Sequence, residues 1–439
     1  MNKKIGIGLL GLGTVGSGVA KIINAPNGRH PLVSNLYLAK IAVRDLSRSR
    51  AESIYSSILT QNPIEVIEDP SVQVVVEVMG GIEPARSLIL KAVKSGKSVV
   101  TANKAVIARH GEEIAKAAKD AGVYVLIEAA VGGGIPIIEP LKQSLGANRI
   151  NKVSGIINGT TNYILSRMSK EGVNYQEVLE EAQKLGYAES DPTADVEGHD
   201  AADKIAILSG LAFGGQIDRS SIPTKGITKI QSKDVKFANQ LGYELKLLAV
   251  GEQIKENTSC HNSSLPLSLR VEPILIPKAN PLAGVDGVNN AIVVEGDPIG
   301  KVMFYGPGAG AGPTASAVVA DILNIVGISL IEKAGNSLDP LLSALGWQKC
   351  HLADSSEIIQ KNYVRLITED TAGVIGKIGN ILGNCDVSIE SIIQLDTNEE
   401  SAEIVVITNE VRQGQINDSL SKIEELAEVK QIAAHIGCL

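Results

Sequence analysis

Ile5-Gly-Ile-Gly-Leu-Leu10 runs directly into Gly11-Leu-Gly13-Thr-Val-Gly16-Ser-Gly18, and Val19-Ala-Lys-Ile-Ile follows. The first six residues form a short apolar run of buried-strand type, and the last five continue as a helix. Between them lies a G-x-G-x-x-G fingerprint, weak in isolation and much stronger when a strand precedes it and a helix follows. Gly11, Gly13 and Gly16 allow a tight turn and the close approach of a pyrophosphate, whose charge the helix N-terminus meets. A glycine-rich packing turn is the alternative.

The alternation continues outward from this motif. Strands are expected at Tyr37–Val43, Val72–Val78, Ser98–Thr101 and Val123–Ile127, with helices at about 84–94 and 111–120. Strands alternating with helices imply a parallel, doubly wound sheet of Rossmann type over residues 1–130. The second strand ends in Arg44-Asp45, where such folds select the ribose. An acid there favours NAD and an arginine can pair with the 2′-phosphate of NADP, so Arg44 points to NADP while NAD stays open. Thr101-Ala-Asn-Lys104 follows a strand at the carboxyl edge where ligands of α/β folds bind. Lys104 there is a candidate contact to cofactor or substrate, or a solvated loop lysine.

Composition limits the rest. At 439 residues two or three domains are expected, and 44% hydrophobic with 21% charged residues is a globular balance. Aromatics are only 3% and the net charge is −8, which argues against stacking on nucleobases and against a polyanionic partner. There is no signal peptide and no run of eighteen apolar residues, so no membrane association is expected. Cysteines 260, 350, 385 and 438 are widely spaced and fit a reducing cytoplasm, with no disulfide framework or zinc spacing.

The middle of the chain, 131–330, reads as a second, α+β domain grafted onto that parallel sheet. Glu128-Ala-Ala-Val-Gly-Gly-Gly-Ile-Pro136 breaks the βα rhythm. Three consecutive glycines suit an inter-domain hinge, or a turn that aims several carbonyls at a monovalent cation. A strand at Val153–Ile157, the turn Asn158-Gly-Thr-Thr-Asn162, and helices at Tyr163–Met168 and about 175–185 follow. Next, Gly186–Lys204 packs six carboxylates into nineteen residues and ends in a lysine that opens an apolar helix. Asp200 and Lys204 are one turn apart on one helical face, an arrangement able to move a lysine pKa for proton transfer. An exposed ion pair at a helix start is the bland alternative. Period-2 patches over 240–305 predict an antiparallel or mixed sheet. Tyr305-Gly-Pro-Gly308-Ala-Gly310 then starts a helix at Ala315–Val326, a second glycine-rich helix start that returns 306–326 to the cofactor face.

Together these segments resemble the homoserine dehydrogenase family. The match lies in GLGTVGSG at 11–18, TANK at 101–104, EAAVGGGIP at 128–136, NGTTNYIL at 158–165, GYAESDPTADVEGHDAADK at 186–204 and GPGAG at 306–310. The resemblance implies interconversion of L-homoserine and L-aspartate 4-semialdehyde with NAD or NADP, and makes 131–330 the α+β catalytic, substrate-binding and dimerisation domain. It implies Lys204 as the proton donor and acceptor, Asp200 holding polar groups of the substrate, and Glu189 binding substrate. Lys104 would sit beside substrate and nicotinamide. Leu12, Thr14 and Val15 would lie on the pyrophosphate, with Thr101, Gly186, Gly308 and Gly310 near the cofactor. Glu128 with the carbonyls of Val131, Gly133 and Ile135 would hold a sodium-type ion.

After a linker at 331–358, residues 359–439 read as strand, helix, two strands, helix and strand, the order of a ferredoxin-like module. This looks like an ACT domain, a small regulatory unit that binds amino acids; the implied effector is threonine, and an oligomerisation module without ligand is the alternative. Such a domain usually pairs, so a homo-oligomer, dimer or tetramer, is expected. One rival activity, aldehyde oxidation through a thioacyl intermediate, needs a cysteine, and the first 259 residues hold none. A sugar-type oxidoreductase and a non-enzymatic amino-acid sensor are the others.

Overall fold

The chain forms two compact units, Met1–Ser343 and Ala344–Leu439. In the computed structural model the described residues are 4–49, 54–215, 217–254, 267–334, 355–398 and 401–438. Cys260, Cys350 and residues 335–354 of the expected linker lie outside them.

The first unit opens on six parallel strands, β1 (Ile5–Leu10), β2 (Leu36–Ala42), β3 (Leu59–Thr60), β4 (Val72–Glu77), β5 (Ser98–Thr101) and β6 (Val125–Leu126), ordered β3-β2-β1-β4-β5-β6. Every residue of β1 is buried, as a strand covered on both faces requires. The helices of this half are α1 (Thr14–Asn24), α2 (Pro63–Glu68), α3 (Ala85–Lys94) and α4 (Lys104–Ala121). One face of the sheet packs on α2, α3 and α4 through Val66, Leu88, Ile89, Val106 and Ile114. The strand order reverses between β1 and β4, which opens a crevice beyond their carboxyl ends.

The chain then builds an antiparallel sheet. Strand β7 (Arg149–Ile156) precedes α5 (Gly159–Glu171), α6 (Tyr175–Lys184), the short α7 (Thr193–Val196), α8 (His199–Phe213) and α9 (Ser232–Gln240). Strands β8 (Tyr243–Gln253), β9 (Leu267–Pro277), β10 (Asn289–Asp297) and β11 (Gly300–Pro307) complete the order β11-β10-β7-β8-β9. All four pairings are antiparallel. Ile164, Leu165, Val178, Ala201 and Ile205 from the helices meet Val153, Leu247, Ala249 and Ile292 of the sheet in one core.

Helix α10 (Ala311–Ala334) then crosses back to the parallel sheet. Ala315, Val318, Val319, Ile322 and Ile325 join Ile7, Leu9, Val19 and Ile23 in a single cluster, so α1 and α10 together cover the second face. Over Ala311–Ser329 this helix is long and apolar enough to cross a membrane by length and composition, and more than half of that stretch is buried within the chain.

The C-terminal unit has strands β12 (Ile359–Thr368), β13 (Ile389–Asn398), β14 (Ser401–Thr408), the two-residue β15 (Val411–Arg412) and β16 (Val429–Cys438), with helices α11 (Val374–Asn384) and α12 (Gln413–Glu424). The four long strands lie in the order β13-β14-β12-β16, all antiparallel, which is ferredoxin-like. Burial alternates strictly along β14, as expected for a sheet with one face on its helices.

Helices α5 and α10 start four residues before the expected Tyr163 and Ala315, and two further differences bear on the site. Helix α4 begins at Lys104, not near 111, because Asn103 caps it: its Oδ1 accepts the Val106 N–H (3.3 Å) and its Nδ2 donates to the Gly81 carbonyl (2.6 Å). Lys104 is therefore the first residue of a helix and not a loop lysine. The expected strand 123–127 shrinks to two residues, because the chain turns at Glu128–Ala130 into a one-turn 3₁₀ helix. Asn103→Ala is expected to lower stability by about 1–2 kcal/mol, read as an earlier denaturant midpoint at unchanged m-value, and Asn103→Ser should recover most of it.

Candidate active site

Asp200 is the centre of the site. It is 6% exposed on the first turn of α8 and accepts from three side chains. Lys204, one turn on, donates to Asp200 Oδ2 (2.7 Å) and to the Ile157 carbonyl at the end of β7 (2.6 Å). Lys104, from the start of α4, pairs with Asp200 Oδ1. Asn158 Nδ2 donates to Asp200 Oδ2 (2.9 Å) and to Asp195 Oδ1 (2.7 Å). The ion pair expected at a helix start is thus buried, and a second lysine from the parallel-sheet half completes it.

The charges bias one another. Burial alone would raise the Asp200 pKa, but Lys204 and then Lys104 hold it far below the usual carboxylate range. Burial pushes the Lys204 pKa down; Asp200 opposes this and the Lys104 charge adds to it. Burial acts the same way on Lys104, where the summed attraction of Asp200, Asp195 and Asp203 wins and the pKa rises. Asp195 is raised by burial and by the charge of Asp200. The two lysines are therefore unequal, with Lys104 held charged and Lys204 moved toward its neutral form.

The crevice at the β1–β4 switch has a volume of about 590 Å³ and is lined by Gly11, Leu12, Gly13, Arg44, Asp45, Val78 and Gly80 among others. Nothing lies within 4 Å of a Cβ built on Gly13, so a side chain there would fill open space in front of the helix. Gly13 precedes Thr14 and makes no side-chain cap, which leaves the first amides of α1 for an anion. These features fit a dinucleotide pyrophosphate, with Arg44 on the same wall.

Two family models match the chain: homoserine dehydrogenase over residues 136–323, and the NAD-binding domain of homoserine dehydrogenase over residues 11–128. A homoserine dehydrogenase of Synechocystis is 51% identical over 433 residues, covering 99% of each chain. The chain belongs to the homoserine dehydrogenase family. It is accordingly an NAD(P)-dependent oxidoreductase with a Rossmann-type nucleotide half. The crystal structure of a homoserine dehydrogenase from Thiobacillus denitrificans is 39% identical and superposes with a TM-score of 0.70 over 99% of this chain and 98% of that one. A hyperthermophilic archaeal homoserine dehydrogenase in complex with NADPH is 28% identical, with a TM-score of 0.60 over 74% of this chain and 98% of the other.

Within the site the acidic stretch divides its labour. Glu189 is exposed and makes no hydrogen bond or ion pair to the Asp200 cluster. Asp191 accepts the Thr193 amide and hydroxyl in a local turn (3.1 and 2.6 Å), and Glu197 accepts the Thr228 hydroxyl (2.9 Å). Asp195 accepts from Asn158 and Thr160, and Asp203 pairs with Arg109 and Arg219. Gly186 turns the chain after α6 with φ +76°, and Gly308 and Gly310 precede α10.

Sequence reasoning missed Asn158, which looks like a helix cap and is one, accepting the Thr161 N–H (2.9 Å), but whose amide also joins two carboxylates. It missed Glu77 as well. That fully buried acid at the end of β4 accepts the Met79 N–H (2.8 Å) and the Thr101 hydroxyl (2.6 Å), and Thr101 in turn accepts the Asn103 N–H (3.0 Å). The Thr101 hydroxyl is thereby committed to shaping the start of α4.

The glycine segment after Glu128 is not an open hinge. Gly133 has φ +58°, and a Cβ on it would fall 2.3 Å from the Gly308 carbonyl oxygen. The Gly134 amide donates to the Pro307 carbonyl (3.0 Å), so the segments 131–135 and 306–313 are packed backbone to backbone. The buried Glu128 carboxylate accepts the amides of Ile137 (2.6 Å), Ile138 (2.9 Å) and Glu139 (2.7 Å). Beside it, Asp321 of α10 takes the Glu128 N–H on Oδ2 (2.8 Å), has no partner on its buried Oδ1, and is raised by burial to about 7. Among the described residues no group of three His, Cys, Asp or Glu side chains could hold a metal ion, so a cation here would rest on main-chain carbonyls.

Removing the Asp200 charge leaves two lysines without their shared partner. Asp200→Ala is expected to cost about 3–5 kcal/mol of stability at neutral pH. Because the folded-state pKa of Asp200 is depressed, its contribution is complete above about pH 4 and lost only as the pH falls through the depressed value. Equilibrium denaturation of both proteins, from neutral pH into strong acid, reads the size and the window.

Proposed function

We propose that the chain interconverts L-homoserine and L-aspartate 4-semialdehyde with Lys204 as the proton-transfer group. The observation that carries this reading is the Lys204 ammonium: buried, with one N–H on Ile157 and one on Asp200. An ammonium has three donors, so one is left to meet a substrate oxygen. Bound nicotinamide supplies or accepts the hydride. As the aldehyde is reduced, Lys204 stabilises and then protonates the oxygen that gains charge. Asp200 holds Lys204 and polar groups of the substrate, Lys104 stays charged beside them, and Glu189 binds substrate from the mouth of the site. Asp195, half-buried and hydrogen-bonded by Asn158, is a second carboxylate suited to the substrate ammonium.

The remaining assignments belong to the same proposal. Residues 1–130 hold the dinucleotide, with Gly11–Gly16, Thr101, Gly186, Gly308 and Gly310 around it and Arg44 favouring NADP; 131–330 hold substrate, with 306–326 returning to the cofactor half. A sodium-type cation rests on the carbonyls of Val131, Gly133 and Ile135. Its support is the electronegative setting made by Glu128 and Asp321, and since the Glu128 carboxylate is engaged by three amides, that residue's share falls to its main-chain carbonyl. Residues 359–439, after a linker at 331–358, are an ACT domain that binds threonine and joins copies of the chain as a homo-oligomer. A cavity of about 240 Å³ supports the effector site; it lies at the β12–α11 turn, lined by Thr368, Asp370, Gly373 and Gln394 among others.

In the oxidising direction Lys204 must be neutral. Its pKa is lowered from the ordinary lysine value by burial, so homoserine oxidation is expected to rise with pH through a value below about 10.4, while aldehyde reduction falls over the same window. Lys204→Ala should lose at least ~10²-fold in kcat in protein that is still folded by circular dichroism, with a lowered melting temperature because Asp200 loses a partner; retention of more than about a tenth of the activity rules out the role. The whole reading is tested by absorbance of the reduced nicotinamide with homoserine and either NADP or NAD, each with and without threonine and with sodium exchanged for a bulky organic cation. Turnover favouring NADP, loss with threonine and loss without sodium are expected. No turnover with either cofactor sinks the activity, and an indifferent response to threonine or to sodium sinks that assignment alone.

A further inference from the structure

One acid of the motif faces away from the reacting groups. Asp203 lies between the members of the site in sequence, one residue before Lys204 and three after Asp200, and is 7% exposed. Its Oδ2 accepts Arg109 Nη1 (3.2 Å) and its Oδ1 accepts Arg219 Nε (2.6 Å). Arg219 also donates to the His199 carbonyl (3.1 Å), the first residue of α8, and so braces the helix on which Asp203 stands. Arg109 is on α4, the helix that starts with Lys104, and its Nη1 also reaches the Ala105 carbonyl (3.1 Å).

Helices α4 and α8 are thus joined at two points, Lys104–Asp200 and Arg109–Asp203. At 1.5 Å rise per residue the ties are about 7.5 Å apart along α4 and about 4.5 Å apart along α8. Ile107 and Ala108 of α4 also pack on the core that holds α8, but apolar contact is non-directional, and it takes two polar ties at different heights to fix the rotation. We propose that Asp203 is a positioning residue, which through Arg109 fixes the rotation of α4 on α8 and so sets the separation of Lys104 and Lys204 about Asp200. It touches neither substrate nor cofactor. The tie crosses from the nucleotide half to the substrate half, so it sets the distance between a group delivered on the parallel sheet and the lysine that moves the proton. A displacement of about 1 Å at such a site is enough to cost on the order of 10²-fold in rate.

This rests on the roles proposed above for the two lysines. Asp203→Asn and Arg109→Gln are each expected to lower kcat by about tenfold or more, with the KM for NADPH changed less than about twofold, since the pyrophosphate site is untouched. The primary deuterium isotope effect on hydride transfer should rise in both, because chemistry becomes slower relative to release. The double variant should be no worse than the poorer single one, as for two residues that act as one unit. Arg109 is 39% exposed, so its variant tests the tie even if Asp203→Asn fails to fold. Wild-type kcat and isotope effect in a folded Arg109→Gln, or losses that multiply in the double variant, overturn the proposal. If Lys204→Ala is inactive while Arg109→Gln behaves as wild type, only the positioning role fails; if Lys204→Ala is fully active, the reading beneath it fails instead.

Discussion

A buried ammonium is costly unless a carboxylate and further acceptors surround it, and a buried carboxylate is costly unless cations do the same. Lys204 meets that condition through Asp200 and the Ile157 carbonyl, and Asp200 meets it through Lys204, Asn158 and a third group, Lys104, which arrives from another layer of the molecule. The carboxylate has two oxygens and each faces one lysine, so neither lysine can be moved without uncovering the acid. The rest of the first unit serves this arrangement. The Asn103 cap starts α4 where Lys104 can reach, β7 ends where its last carbonyls meet Lys204, and α8 begins on Gly198 so that Asp200 falls in its first turn. A helix start also suits an anion, so α8 itself favours the ionised acid.

The same layers are held by backbone as well as by charge. The segments 131–135 and 306–313 approach so closely that a Cβ on Gly133 would strike the Gly308 carbonyl and one on Gly134 the Pro313 ring, and Glu128 gathers three amides to keep the first segment closed. Where the chain leaves the parallel sheet and where it returns are therefore one structural element.

Much of this was legible in the sequence, and the boundary is physical. The Gly11–Gly16 turn could be read because its strand and helix are its immediate neighbours. Lys204 and Asp200 could be paired because a helix turns a spacing of four into a contact. The C-terminal strand and helix order was readable from alternation, which β14 displays residue by residue. The true start of α4 was hidden because Ala102 to Arg109 carries weak apolar periodicity and the deciding signal is a single capping asparagine. Burial of the Asp200–Lys204 pair was invisible too, since it depends on Ile157 and Lys104, which are 43 and 96 residues away from Asp200 in the chain. Glu77 and Asp203 each look like surface acids in sequence, and only the fold supplies the hydroxyl, amide and guanidinium groups they serve.

Helix α10 has a consequence for how the chain is made. The face of the parallel sheet that carries Ile7, Leu9, Val74 and Val76 is covered by α1 and by α10, and α10 begins only at Ala311. On the ribosome, the strands up to Leu126 emerge long before their second cover does. Synthesis runs at about 5–20 residues per second, so this apolar face waits for roughly ten to forty seconds with half its lid missing. The nucleotide-binding half begins before the antiparallel layer but is finished after it, so its completion is tied to synthesis of everything that lies between.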